Sequence, residues 1–149
     1  MKSRIFHTRS EEETIALGGS LAAELPSRAV VLLIGNLGAG KTTLAKGIVK
    51  GLGVAQPEEI SSPTFTLIHE YSPSVYHIDL YRLDQPSQVA TLGLDEIFDR
   101  QAVVLIEWGE RFLQLMPENR IEIRLRTTGE DSREIEIVGP SMDRQHAPV

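Results

Sequence analysis

The chain has 149 residues, 41% of them hydrophobic and 24% charged, which is typical of a single soluble globular domain. It contains no cysteine, so disulfide-linked partners, thiol nucleophiles and cysteine-ligated metals are excluded. Its net charge of −6 disfavours a mainly electrostatic hold on nucleic acid. The longest apolar run, Ala29–Ile34, is far shorter than the roughly 20 residues that span a bilayer, and residues 1–7 lack a signal-peptide pattern. We therefore expect a cytoplasmic protein without membrane contact.

Hydrophobic periodicity predicts alternating strands and helices along most of the chain. Ser10 followed by Glu13 forms a capping box, which predicts that the first helix starts there. In chain order we predict a strand at Arg4–Thr8, a helix from Ser10 that buries Leu17, Leu21, Ala22 and Leu25 and ends at Pro26, a strand at Ala29–Ile34, a helix at Lys41–Leu52, a loop at Pro57–Pro63, strands at Thr64–Tyr71 and Val75–Tyr81, a broken helix at Gln85–Phe98, a strand at Ala102–Ile106, and strands at Ile121–Arg126 and Arg133–Ile137.

The fully apolar runs at 29–34 and 102–106 are typical of central parallel strands that are buried on both faces. The last two strands alternate strictly between apolar and polar residues, which predicts a half-exposed antiparallel hairpin. Together these elements predict an α/β fold with a mixed sheet. We expect one domain over residues 1–138 and a flexible tail over residues 139–149.

The segment Gly35–Thr42, GNLGAGKT, matches the phosphate-loop pattern G-x-x-x-x-G-K-[ST] at every fixed position. An apolar strand precedes it and an amphipathic helix follows it, as the motif requires. Glycines let backbone N–H groups approach a phosphate, and the helix N-terminus favours the anion. We predict that Lys41 contacts the β- and γ-phosphates and that Thr42 gives its hydroxyl to Mg²⁺.

A phosphate-loop protein also needs a carboxylate at the end of a neighbouring strand to hold Mg²⁺ or its water. Glu107 follows the strand at 103–106 and is our candidate. Asp79 either orients the attacking water, or binds Mg²⁺ through a water molecule, or is a surface strand carboxylate paired with Arg82. Trp108 either packs at the sheet edge or contacts the active site or a partner. For His77 we favour a packed or hydrogen-bonded strand residue over a catalytic base.

The segment SSPTFT at 61–66 precedes a predicted strand. In nucleotide switches a loop serine or threonine reaches the γ-phosphate and Mg²⁺, which orders the loop only with the triphosphate. Ser62 and Thr64 are the candidates for such a switch-like loop. The alternative is an ordinary proline-containing approach to a strand.

Four segments, in this order and spacing, resemble the bacterial TsaE (YjeE) family: GNLGAGKTT at 35–43, SSPTFTLIHEY at 61–71, YHIDLYR at 76–82 and VVLIEWGER at 103–111. The resemblance extends from about residue 10 to residue 133. It implies a P-loop NTPase-like three-layer fold with a mixed central sheet. It also implies Mg²⁺-dependent ATP hydrolysis, slow in isolation and supported by the partners TsaB and TsaD. In that system TsaD modifies the adenosine next to the tRNA anticodon, so the resemblance implies only indirect contact with tRNA through the complex.

The resemblance also implies roles for individual residues. Catalytic roles fall on Lys41, Asp79 and Glu107, and the Mg²⁺ ligands are Thr42 and Glu107. Adenine contacts fall on Glu11 and Arg133, although the alternative for Arg133 is a solvated hairpin residue. The residues that would hold the phosphates of ATP are Gly38, Ala39, Gly40, Lys41, Thr42 and Thr43.

Three other functions compete with an energy-coupling ATPase. A small-molecule or nucleoside kinase needs an arginine-bearing lid, and the part of the chain left to form one is mainly Asp84–Arg100, with one arginine. A guanine-nucleotide switch normally carries an Asn-Lys-x-Asp segment, which this sequence lacks. A non-hydrolysing module would bind ATP without turnover. An arginine finger, if the chain has one, would come from Arg82, Arg100 or Arg111, or else from a partner.

Overall fold

The structure is a computed structural model that describes residues 2–60 and 67–140. Its strands are β1 (Lys2–Thr8), β2 (Ala29–Ile34), β3 (Ile68–Ser72), β4 (Val75–Asp79), β5 (Val103–Glu107), β6 (Ile121–Thr127) and β7 (Arg133–Gly139). Its α-helices are α1 (Glu11–Glu24), α2 (Lys41–Gly51), α3 (Pro86–Ala90) and α4 (Leu94–Phe98), and 3-10 helices cover Pro57–Glu59 and Gly109–Leu115. Across the described ranges, no helix has the length and hydropathy needed to cross a membrane.

The described strands form one sheet in the order β1-β7-β6-β2-β5-β4-β3. The central strand β2 is parallel to both of its neighbours, β5 and β6, and β4 is parallel to β5. The strands β3, β7 and β1 each join an antiparallel pair. The predicted mixed sheet and the antiparallel C-terminal hairpin are therefore confirmed.

Each face of the sheet is covered by helices, which gives the three layers of the fold. Because side chains alternate along a strand, Val31 and Leu33 of β2 join the core beneath α1 and α2. Val30 and Leu32 point the other way and pack with α3, α4 and the 3-10 helix at Gly109–Leu115. The two buried faces explain why β2 is apolar at every position.

The helices α1 and α2 approach each other through glycines. A Cβ atom on Gly18 would lie 2.6 Å from the carbonyl oxygen of Leu44, and one on Gly47 would collide with the carbonyl of Ile15. The predicted apolar stripe is therefore only partly right, since Leu17 is half-buried while Gly18 is fully buried. The hydrophobic pattern predicted the leucines on this face of α1. It did not predict the glycines, whose small size lets the two helices approach closely.

Several element boundaries differ from the sequence prediction. The strand β1 begins at Lys2, where it pairs with Gly139, so β7 extends one residue into the segment predicted as a tail. The strand β4 ends at Asp79, and Tyr81 lies in the turn that follows. The predicted start of β3 at Thr64 lies outside the described residues, as do residues 141–149. The break in the predicted helix at 85–98 is confirmed, with Gly93 in a left-handed conformation (φ 73°) between α3 and α4.

Candidate nucleotide-binding site

A cleft of about 520 Å³ lies between the phosphate loop, the ends of β4 and β5, and the β6–β7 hairpin. Its location follows from the topology, because ligands of open α/β sheets bind beyond the carboxyl ends of parallel strands. Ala39 is buried beneath the cleft instead of lining it, and Ser62 and Thr64 fall outside the described residues. The predicted site residues that do line the cleft are Glu11, Gly38, Gly40, Lys41, Thr42, Thr43, Asp79, Glu107, Trp108 and Arg133.

The phosphate loop joins β2 to α2 and has the shape of an anion cradle. Gly38 (φ 80°) and Gly40 (φ 99°) both adopt left-handed backbone conformations that other residues enter only at a cost. Gly40 is also the N-cap of α2, so the positive end of that helix faces the loop. The first N–H groups of a helix have no partner within it. This backbone therefore fits a phosphate group.

The Lys41 ammonium lies inside the cleft, where Nζ donates a 2.7 Å hydrogen bond to the Gly35 carbonyl. It also lies 3.4 Å from the centroid of the Trp108 ring, which is within cation–π range. Burial lowers the pKa of Lys41, and the nearby carboxylates of Glu107 and Glu110 oppose that shift. A cation held at the base of the loop in this way is placed to exchange its carbonyl partner for a phosphate oxygen.

The Glu107 carboxylate is the centre of a buried hydrogen-bond network. Its Oε2 atom accepts from the Thr42 hydroxyl at 3.2 Å and lies 2.7 Å from Nε2 of His77. We place the His77 proton on Nε2 because an ionised carboxylate only accepts. A hydroxyl and a carboxylate are the hard oxygen ligands that Mg²⁺ prefers, so Thr42 and Glu107 fit a Mg²⁺ site.

His77 has the hydrogen-bonded strand role that we predicted, but the sequence did not identify its partner. The side chain is fully buried at 0% exposure. It is two residues before Asp79 and so shares its strand face. That shared face was the available sequence signal for a role near Glu107.

Asp79 ends β4 beside Glu107, its register partner at the end of β5. It is 2% exposed, so the alternative of a surface carboxylate is wrong. Its Oδ1 atom accepts a 2.8 Å hydrogen bond from the backbone N–H of Tyr81, which orients the carboxylate at the strand end. Two buried carboxylates thus stand side by side at the cleft.

Trp108 forms an aromatic wall of the cleft and has a left-handed backbone (φ 67°). Its ring is tilted against Tyr81 with centroids 5.2 Å apart, and the Arg111 guanidinium lies 4.6 Å from its centroid. Arg111 also donates to the Tyr81 carbonyl at 2.8 Å. By contrast, Arg100 donates at 2.6 Å to the hydroxyl of Tyr76, a buried residue that does not line the cleft. Arg111 is therefore closer to the site than Arg100.

The two residues implied as adenine contacts both lie on the cleft but differ in their surroundings. Glu11 is exposed at its rim, in the first turn of α1. Arg133 is half-buried and donates to the carbonyls of Ala39 (2.9 Å) and Gly38 (3.2 Å). The alternative that Arg133 is only a solvated hairpin residue is therefore wrong. The sequence signal was alternation, which puts Arg133 on the same strand face as the buried Ile135.

Glu110 is a residue that the sequence reasoning did not select. Burial raises the pKa of its carboxyl group, while its own backbone N–H and the charges of Lys41 and Arg111 oppose that shift. Its Oε1 atom is buried without a hydrogen-bond partner in the part of the chain that the structure describes. The segment that follows Glu107 therefore brings a further buried carboxyl group close to Lys41.

Comparison with known proteins agrees with this geometry. A family model described as "Threonylcarbamoyl adenosine biosynthesis protein TsaE" matches residues 8–135. The chain belongs to the TsaE family. A TsaE relative from Bacillus subtilis (strain 168) is 42% identical over 138 residues, covering 91% of this chain and 85% of the relative. Another, from Nostoc sp., is 43% identical over 134 residues, covering 85% and 80%. Both are named tRNA threonylcarbamoyladenosine biosynthesis protein TsaE.

The solved structure of Bacillus subtilis YdiB resembles this chain with a TM-score of 0.75 and 37% sequence identity. The match covers 93% of this chain and 86% of YdiB. This agreement supports the P-loop NTPase-like, three-layer fold described above.

Proposed function

We propose that this chain is a Mg²⁺-dependent ATPase that serves the threonylcarbamoyladenosine modification of tRNA together with TsaB and TsaD. The observation that carries the proposal is the convergence of Lys41, Thr42, Asp79 and Glu107 on one cleft at the phosphate loop. The names of the relatives supply the process, tRNA threonylcarbamoyladenosine biosynthesis.

In this proposal the loop from Gly38 to Thr43 holds the phosphates of ATP, with Lys41 as the cation for the β- and γ-phosphates. Thr42 and Glu107 hold Mg²⁺, which when bound neutralises developing charge on the phosphates. Among the residues described, no cluster of three or more His, Cys, Asp or Glu side chains is placed to hold a metal ion. We therefore expect Mg²⁺ to bind with the nucleotide and weakly without it.

Asp79 is the residue that we propose to orient the attacking water. It is buried beside Glu107 and lines the cleft, so its carboxylate acts where water is scarce and charge interactions are strong. Trp108 covers Lys41 and limits access of bulk solvent. Glu11, exposed at the rim of the cleft, marks the side where we expect the nucleoside.

Two observations favour this function over a small-molecule kinase. Residues 84–100, the main segment left for a lid, supply Val89, Leu94, Ile97 and Phe98 to a core of the domain. A segment buried in this way covers the sheet and is not free to close over an acceptor. The net charge of −6 also suits contact with protein partners, with tRNA reached only through the complex.

The test is Mg²⁺-dependent ATP hydrolysis by the purified protein, alone and with its TsaB–TsaD pair. We expect slow turnover that rises when the pair is added and is lost in Lys41→Ala. The matched control is Lys50→Ala, which removes an exposed lysine from the other end of α2. An ATPase rate that does not change when the pair is added would contradict the proposal. Nucleosides and small metabolites would then be screened as phosphoryl acceptors. ATP binding without turnover under any condition would indicate a non-hydrolysing module.

A further inference from the structure

We propose that Arg133 is a positioning residue that holds the phosphate loop in its binding shape and does not recognise the nucleoside. The inference rests on the proposed function, because it concerns how the same loop receives a polyphosphate. The C-terminal hairpin, through Arg133, thereby supports the loop that binds phosphate.

The Arg133 guanidinium is bonded to backbone carbonyls on two segments at once. Towards the phosphate loop, Nε donates to Ala39 at 2.9 Å and one terminal nitrogen donates to Gly38 at 3.2 Å. Towards the hairpin turn, the other terminal nitrogen donates to the carbonyl of Ser132 at 2.8 Å, with longer contacts to Gly129 (3.4 Å) and Glu130 (3.3 Å). A guanidinium has five N–H donors in a fixed plane. Most of them are used here on the protein's own backbone.

These bonds constrain the direction of the loop's N–H groups. In a trans peptide the C=O of one residue and the N–H of the next point in opposite directions, and the described residues contain no cis peptide. Holding the carbonyls of Gly38 and Ala39 toward Arg133 therefore turns the N–H groups of Ala39 and Gly40 away from the hairpin. The Ala39 N–H closes a turn of the loop by donating to the Asn36 carbonyl at 3.0 Å. The carbonyl oxygens, which would repel a phosphate, are kept on the far side from it.

The loop also rests directly on the hairpin. A Cβ atom on Gly35 would lie 2.8 Å from the carbonyl oxygen of Leu125, and one on Gly40 would lie 3.5 Å from Nε of Arg133. One end of the loop, at Gly35, thus packs against β6. The other end, at Gly40, lies against the side chain of Arg133. Loss of that side chain removes the hydrogen bonds to Gly38 and Ala39 and leaves this end of the loop held by packing, such as that of Ala39 in the core.

A loop that samples other shapes binds every ligand less tightly by the same factor, the fraction of molecules in the competent shape. The inference therefore predicts an equal loss of affinity for ATP and for inorganic tripolyphosphate, since the loop holds both. A direct contact with adenine or ribose predicts instead a loss for ATP alone.

The experiment measures both affinities by calorimetry with Mg²⁺ present, for the wild-type protein, Arg133→Ala and Arg133→Lys. We expect Arg133→Ala to weaken the affinity for each ligand about tenfold. Arg133→Lys keeps the positive charge but loses the planar guanidinium, so its affinities should lie between those of the wild type and Arg133→Ala. The matched control is Arg126→Ala, which removes an exposed arginine that pairs with Glu134 in the same hairpin. It should bind both ligands as the wild type does.

A second measurement needs no ligand and reports on the loop itself. Amide hydrogen exchange of residues 35–43 should accelerate in Arg133→Ala and stay unchanged in Arg126→Ala, with both variants folded by circular dichroism. Unchanged exchange, or a loss confined to ATP, would overturn the inference and leave the ATPase proposal standing. Failure of the wild-type protein to bind either ligand would overturn both.

Discussion

The His77 imidazole lies 2.7 Å from the Glu107 carboxylate, and the side chains are 0% and 4% exposed. The same carboxylate oxygen accepts from Thr42, so His77 helps to set the orientation of the carboxylate that we assign to Mg²⁺. Partners of metal-binding side chains tune metal affinity, and their loss typically costs 10- to 100-fold.

We therefore expect His77→Leu to raise the Mg²⁺ concentration for half-maximal ATPase activity by about 10- to 100-fold. His77→Gln should recover part of the loss, because its amide can still donate to Glu107. The measurement is a Mg²⁺ titration of turnover at saturating ATP. His7→Leu, at an exposed position, should titrate as the wild type does, and an equal Mg²⁺ requirement in His77→Leu would contradict the positioning role.

The affinity for ATP should fall at alkaline pH, because Lys41 loses its positive charge there. Burial lowers the pKa of Lys41 from its ordinary value of 10.5, so the ammonium loses its charge, and with it the attraction for phosphate, at a lower pH than an exposed lysine. The affinity for ATP should therefore decline as the pH rises, beginning below 10.5. In Lys41→Arg, which stays charged throughout, binding is expected to be weaker but without this decline. A wild-type affinity that is flat up to the ordinary lysine range would contradict the prediction.

Asp79→Asn should separate binding from hydrolysis. The amide oxygen still accepts from the Tyr81 N–H, as the Asp79 carboxylate does at 2.8 Å, while the charge that would orient water is lost. We expect turnover to fall by about 10²–10⁴-fold while the dissociation constant for ATP changes by only a small factor. Stopped hydrolysis assays and calorimetry on the same preparation measure the two effects. Normal turnover in this variant would remove Asp79 from the catalytic assignment.

Glu110 should make the protein less stable as the pH rises. Burial raises the pKa of Glu110 above 4.5, so the folded state retains a proton that the unfolded chain releases, and the stability present below pH 4.5 is lost as the pH passes through the raised pKa. Glu110→Gln mimics the neutral form. The free energy of unfolding of this variant, relative to that of the wild type, should increase as the pH rises above 4.5. A difference that is independent of pH would show that Glu110 ionises without cost.

The glycine contact between α1 and α2 provides a stability test with a neighbouring control. A Cβ on Gly18 would lie 2.6 Å from the Leu44 carbonyl, whereas one on Gly19 would meet nothing closer than the Gly47 carbonyl at 3.8 Å. Gly18→Ala should destabilise the protein by about 1–3 kcal/mol through overpacking. Gly19→Ala should stabilise it by up to about 1 kcal/mol, because alanine is the better helix former. Denaturant unfolding of both variants measures the difference, and similar values for the two would show that the helices separate without cost.

Local pattern was sufficient for the elements whose residues interact with near neighbours in sequence. The apolar runs of β2 and β5 predict buried strands, the capping box at Ser10 predicts the start of α1, and the glycines of 35–42 predict the phosphate loop. Each depends on backbone geometry or on periodic burial within a few residues. The observed hydrogen bond from Glu13 N–H to the Ser10 side chain, at 3.1 Å, is the contact that this pattern predicts.

Only the tertiary structure decided which distant side chains meet. His77 and Glu107 are 30 residues apart, and Arg133 lies 94 residues from the Ala39 carbonyl that it holds. Their pairing depends on strand order and register, which place β4 beside β5 and the hairpin beneath the phosphate loop. The sequence by itself determined the loop, the central strands and the family resemblance, because these are written in contiguous residues. The network around Glu107 and the support of the loop by Arg133 arise from the folding of separate segments onto one sheet.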